Sequence, residues 1–169
     1  MIITIFNYFS RILLGGLKGF LPPFFWRLRL ILKKASIVSI GKSFNFRKLL
    51  TIRANKGARI DIGDNVFFNQ NCSINCHNKI SIGNNVQFGE HVLIYDHDHA
   101  FNRQTGVIPG EYKVSPVCID DNCWIGSNVT ILRGTCIEAG SIIGAGVTVK
   151  GNVKSGSVII NKEFINLSK

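Results

Sequence analysis

From about residue 60 onward, large apolar residues recur at every sixth position, and few folds accommodate that spacing. The run is Ile62, Phe68, Ile74, then Ile82, Phe88, Ile94, and after a gap Ile119, Ile125, Ile131, Ile137, Ile143 and Val149. Turn-forming or small residues follow them, including Gly63, Gly83, Gly89, Asp120, Gly126, Glu138 and Gly144. A second set of small or branched residues falls four places after an anchor, at Val66, Val86, Val129, Thr135, Ser141 and Val147. Strand side chains alternate faces with period two, so a six-residue strand-plus-turn unit sends one anchor inward on each side of a prism. Three units close a coil, and stacked coils bury a continuous aliphatic column. A helix needs apolar spacings of three and four, and a sandwich gives less regular strands, so the repeat predicts an all-β, left-handed parallel β-helix.

The period fails in two places. Ile74 and Ile82 are eight apart, which predicts a two-residue bulge near Cys76 and His77. Between Ile94 and Ile119 it is lost altogether, which predicts an extended loop over residues 95–116. A solenoid tolerates insertions as excursions from one edge, where functional faces are often built. This excursion opens on Asp96-His97-Asp98-His99, the densest titratable cluster in the chain, and three of the four histidines lie between His91 and His99. Histidine among carboxylates suits a general base held in one tautomer by a neighbouring acid or carbonyl. A solvated loop and a His/Asp metal site are the other readings of these residues alone.

Composition narrows the partners. All twelve Lys and Arg residues from Arg11 to Arg59 precede the first acidic residue, Asp61; beyond it eight basic residues face ten acidic ones. The net charge of +10 therefore belongs to the N-terminal third. Residues 1–35 are apolar and basic, interrupted by Arg11, Lys18 and Pro22-Pro23, and offer neither a spanning run nor a secretory signal. They read either as a helical cap on the body or a neighbouring subunit, or as an interfacial helix with Arg27, Arg29, Lys33 and Lys34 against anionic headgroups. Residues 36–169 form the β-helix domain. No nucleic-acid-binding signature accompanies the basic segment. Five cysteines without a CxxC pair point to reduced thiols in a cytoplasmic protein, peripheral to the inner membrane on the interfacial reading. A zinc site at Cys72, Cys76 and His77 lacks a fourth ligand, so no metal is expected.

The segments IGDNVFFNQNCSI, IGNNVQFGEHVLIYDHDHAF and IDDNCWIGSNVTILRGTCIEAGSIIGAGVTVKGNV resemble the hexapeptide-repeat acetyltransferases. That group includes galactoside and maltose acetyltransferases and O-acetyltransferases of bacterial surface polysaccharides. The resemblance covers roughly Ile62 to Lys154 and implies a homotrimer with active sites between subunits and acetyl-CoA as donor. Carried over by position, it implies that His99 is the catalytic base, with His97 the alternative, and that Asn69 helps hold the acceptor. Glu111 matches a residue of the acceptor pocket, and Asp96 and Asp98, which flank the histidines, are expected to bind the substrate there or to fix the imidazole tautomer. Trp124 to Ser127 form the W-I-G-S motif, with the Ser127 amide beside the thioester carbonyl. Ala145 matches a position on the pantetheine channel, and Lys150 lies where the family keeps a base for CoA phosphates. Where the family has a G-x-P-A segment around the adenine, this chain reads SGSVIINKEFINLSK.

The expected reaction is direct transfer from acetyl-CoA to a sugar hydroxyl, the acceptor being a saccharide or lipid-linked glycan of surface polysaccharide synthesis. No cysteine adjoins a histidine in the loop, which disfavours a covalent acyl-enzyme. Two other readings keep the fold: N-acetylation of an amino sugar or amino acid, and a γ-carbonic-anhydrase-like metal site drawn from His77, His97 and His99.

Overall fold

The computed structural model describes residues 28–161, which form a three-sided parallel β-solenoid of three six-stranded sheets. The first sheet runs from Leu28–Leu32 through Leu50–Ala54, Ser73–Cys76, Leu93–Tyr95 and Thr130–Ile131 to Thr148–Val149. The second sheet begins at Ile37–Ile40 and ends at Asn152–Val153; the third begins at Asn45–Phe46 and ends at Val158–Ile159. Each strand pairs in parallel with its counterpart one coil away, so equivalent residues stack.

The register produces three inward columns. Ile52, Ile74, Ile94 and Ile131 stack on the first sheet, Ile62, Ile82, Ile119 and Ile137 on the second, and Phe68, Phe88, Ile125 and Ile143 on the third. All are buried, and the Phe68 and Phe88 rings stack with centroids 4.1 Å apart. Each such side chain contributes about 1.5–3 kcal/mol through burial. Thr135 and Ser141 take core positions in the upper coils, where each hydroxyl donates to main-chain carbonyls.

The corners need a left-handed residue, and asparagine supplies it repeatedly: Asn65, Asn71, Asn85, Asn122 and Asn128 have φ between 56° and 61°. Their amides also form a ladder, Asn65 donating to Asn85 and Asn85 to Asn122. Glycine precedes them where coils touch; a Cβ on Gly63 would stand 2.6 Å from the Gly83 carbonyl oxygen.

The solenoid starts earlier than the six-residue pattern indicates. Leu28–Leu32 is the first strand of the first coil, and Lys33 and Lys34 turn its corner, so residues 28–35 belong to the β-helix and are not helical. The expected helical segment otherwise lies on residues 1–27, outside the described residues. Among the described residues no helix is long and apolar enough to cross a membrane.

Candidate active site

Every departure from the period of six falls at one edge, the corner leading from the first sheet to the second. Counted between stacked anchors, that step takes ten residues from Leu30 to Ile40 and from Ile52 to Ile62, and eight from Ile74 to Ile82. It then takes twenty-five from Ile94 to Ile119, six from Ile131 to Ile137 and four from Val149 to Val153. The long step is an antiparallel hairpin of His97–Asn102 and Gly106–Val114, with His97 opposite Val114 and His99 opposite Tyr112.

The hairpin is rooted through a buried carboxylate. Asp96 is fully enclosed and accepts the main-chain N–H groups of His77 at 2.8 Å and Asn78 at 2.6 Å, both from the corner one coil below. It also accepts the Cys76 thiol at 3.3 Å and meets His97 Nδ1 at 3.0 Å. With both oxygens engaged inside the protein, Asp96 orients groups rather than contacting a substrate, which corrects its expected place in the acceptor pocket. Donation from His97 Nδ1 leaves Nε2 as the acceptor nitrogen. Burial and the Asp96 charge push the Cys76 thiol up, so it offers no thiolate.

Aromatic rings cover this root. His77 packs against His97 with the rings tilted by 32° and centroids 3.7 Å apart, and Tyr112 lies 4.1 Å from His77 and 4.9 Å from His99. Burial, then the neighbouring His97, lowers the His77 pKa to about 4, which keeps that ring neutral near pH 7. His99 is exposed, whereas His97 keeps only 12% of its side-chain surface. Asp98 pairs with Arg133 at 2.5 Å, tying the hairpin to the coil above. Glu111 is exposed on the returning strand, and Lys150 is exposed at the same edge near the far end.

His91 does not join this cluster. It occupies a left-handed position at the corner from the third sheet to the first, where its ring meets the Asn71 amide at 3.0 Å. The cluster is completed by His77 and Tyr112. The sequence signal for His77 was the eight-residue step; Tyr112 had none. Among the described residues no group of three or more His, Cys, Asp or Glu side chains is placed to hold a metal ion.

The remaining residues sit across the first sheet, on the corner where the third sheet leads into the first. Asn69, Ser127 and Ala145 occupy this edge, Ser127 and Ala145 in successive coils and Asn69 two coils below Ser127, and Trp124 is exposed on the adjoining face. One coil lower the next coil satisfies the equivalent donor: the Glu90 N–H donates to Ser127 Oγ at 3.1 Å. Above Ser127 stands Ala145, whose methyl group accepts nothing, and the Ser127 N–H has no partner among the described residues. One chain thus carries imidazoles on one edge and an unpaired amide donor on another, and does not itself bring them together.

Known proteins share this fold. Residues 119–151 match the model of the bacterial transferase hexapeptide, six repeats. A hexapeptide-repeat acetyltransferase from Vibrio cholerae is 28% identical with a TM-score of 0.62, covering 70% of this chain and 65% of its own. A second structure of that protein, 26% identical with a TM-score of 0.56 and covering 74% of this chain and 65% of its own, holds acetyl-CoA. A maltose O-acetyltransferase from Clostridium difficile is 33% identical with a TM-score of 0.60, over 76% of this chain and 64% of its own. A probable acetyltransferase of Mycobacterium tuberculosis is 32% identical over 73% of this chain. The chain spans only 41% of that relative's length, and between 39% and 47% of the next two curated relatives it matches.

Proposed function

We propose that this chain, which is similar to hexapeptide-repeat acetyltransferases, moves an acetyl group from acetyl-CoA to a sugar hydroxyl. The observation that carries the reading is the complementarity of its two edges: an exposed imidazole on a rooted hairpin, and an unpaired amide donor where the coils run bare. A homotrimer would set the hairpin edge of one subunit against the Asn69–Ser127–Ala145 edge of the next.

In that groove His99 Nε2 takes the proton of the acceptor hydroxyl as its oxygen attacks the thioester carbonyl carbon. The Ser127 N–H donates to the oxyanion, which collapses and expels the CoA thiolate. Asn69 and Glu111 hold the acceptor, Trp124 and Ala145 flank the pantetheine arm, and Lys150 meets CoA phosphate. His99 is preferred as base because it reaches solvent, while His77 and Tyr112 cover His97. A second reading makes His97 the base, since Asp96 fixes its Nδ1. The acceptor is read as a saccharide or lipid-linked glycan precursor at the inner membrane face, supported by the apolar, basic character of residues 1–27.

The test is release of CoA thiol from acetyl-CoA with matched hydroxyl and amine acceptors. His99→Ala should lose roughly a hundredfold or more in kcat while sedimenting as the wild type does. Transfer to amines alone overturns O-acetylation, and full activity in His99→Ala with an inactive His97→Ala moves the base to His97.

A further inference from the structure

The hairpin edge continues downward as a strip of positive charge. Its first corner is Lys33-Lys34, its second carries Lys56, and the strands beside it present Arg53 from the first sheet and Arg59 and Lys79 from the second. Register fixes this alignment: Arg59 stacks on Lys79, and Arg53 on Asn75, beside the His77 corner. All six cations are exposed. Arg59 is paired with Asp61 at 2.6 Å, while the other five have no carboxylate partner among the described residues. No acidic residue precedes Asp61 in the chain. The strip reaches the histidines, since the Lys33 charge acts on the His77 ring.

Such an edge is costly to leave without anions, because like charges stacked one coil apart repel. With coils about 4.8 Å apart, the strip ends roughly 14 Å below the coil that bears the hairpin. That separation is on the scale of a short saccharide. We propose that this lower edge binds the phosphate groups of the acceptor, so that an anionic glycan lies along the strip with its free hydroxyl at the hairpin. The inference rests on the acetyl-transfer reading and adds the acceptor's class to it. The phosphate is supplied either by a lipid headgroup or by a soluble sugar diphosphate.

Two charge-matched variants of the full chain test it. One removes three cations of the edge, Lys34→Gln, Lys56→Gln and Lys79→Gln. The other removes three exposed cations of the first coil that lie at its other two corners, Lys42→Gln, Arg47→Gln and Lys48→Gln. Binding is measured to inorganic pyrophosphate by calorimetry, and to phosphatidylcholine vesicles with and without phosphatidylglycerol by sedimentation. The vesicle readout is the ratio of the two lipid compositions, which cancels the apolar contribution of residues 1–27. The edge variant should lose about tenfold or more in at least one arm, while the other variant stays within about twofold, its cations being screened from the strip. Loss in the vesicle arm alone assigns a headgroup, and loss in the pyrophosphate arm alone assigns a soluble diphosphate. Equal losses in both variants, or no binding in either arm, overturn the proposal. Transfer to a neutral sugar should be unchanged in the edge variant. Its absence in every protein would overturn the acetyl-transfer reading while leaving the binding result standing.

Discussion

Asp96 and Asn78 lie eighteen residues apart and meet where the hairpin leaves the solenoid, the Asn78 N–H donating to the Asp96 carboxylate at 2.6 Å. The His77 N–H makes the matching bond to the other oxygen at 2.8 Å. Asp96→Ala strips both donors of their partner in a closed corner, which costs about 3 kcal/mol. Thermal unfolding followed by circular dichroism should show a Tm lower by roughly 6–12 °C. An unchanged Tm would show that the hairpin root does not depend on this carboxylate.

His77 gives the fold a pH dependence of definite sign. Its folded pKa of about 4 lies below the ordinary imidazole value of 6.5, so the unfolded chain binds the proton more readily between those values. The contribution is fully present above about pH 6.5 and is lost as pH falls towards 4. Carboxylates titrate at the lower end of this window, so the readout is a difference. Tm plotted against pH should fall less steeply in His77→Gln than in the wild type, and parallel curves would remove His77 as the cause.

The unpaired Ser127 amide makes a prediction at a residue that never meets the hairpin in one chain. Ala145→Ser places a hydroxyl where Ser127 Oγ stands for Glu90 one coil lower. It should therefore occupy the Ser127 N–H and withdraw it from a thioester oxyanion. Steady-state kinetics should give a kcat roughly ten- to a hundredfold lower, with Tm unchanged or slightly raised. Undiminished kcat would show that this amide does not serve the transition state.

Two glycines separate steric contact from backbone strain. A Cβ at Gly63 would collide with the main chain of Gly83, whereas Gly57 has φ +73° and nothing within 4 Å of an added Cβ. Gly57→Ala should cost about 1 kcal/mol, and Gly63→Ala about 2–3 kcal/mol or more as coils are forced apart. Urea midpoints rank the two, and the reverse order would contradict the stacking.

The upper coils were legible because their anchors keep a step of six through all three corners, from Ile119 to Val149. The first two coils were not. Their corner from the first sheet takes ten residues, so Leu30 and Ile52 fall out of phase and Lys33-Lys34 read as part of a helix. The hairpin was visible as a break in period, and the aspartate–histidine run marked its root. Asp96's burial was not visible, because its partners are main-chain N–H groups that carry no sequence signature. Proximity along the chain does not by itself place a histidine: His91, three residues past an anchor, takes a turn position on a different edge.

The uneven corner has a consequence for how such a chain can change. One edge of this solenoid already takes steps from four to twenty-five residues without disturbing the coils above or below it. The other two corners keep to six through every coil from Ile40 onward, and a single inserted residue there would turn the following isoleucine outward. New acceptor preferences can thus be acquired by lengthening or exchanging the hairpin, while the amide-bearing edge stays fixed.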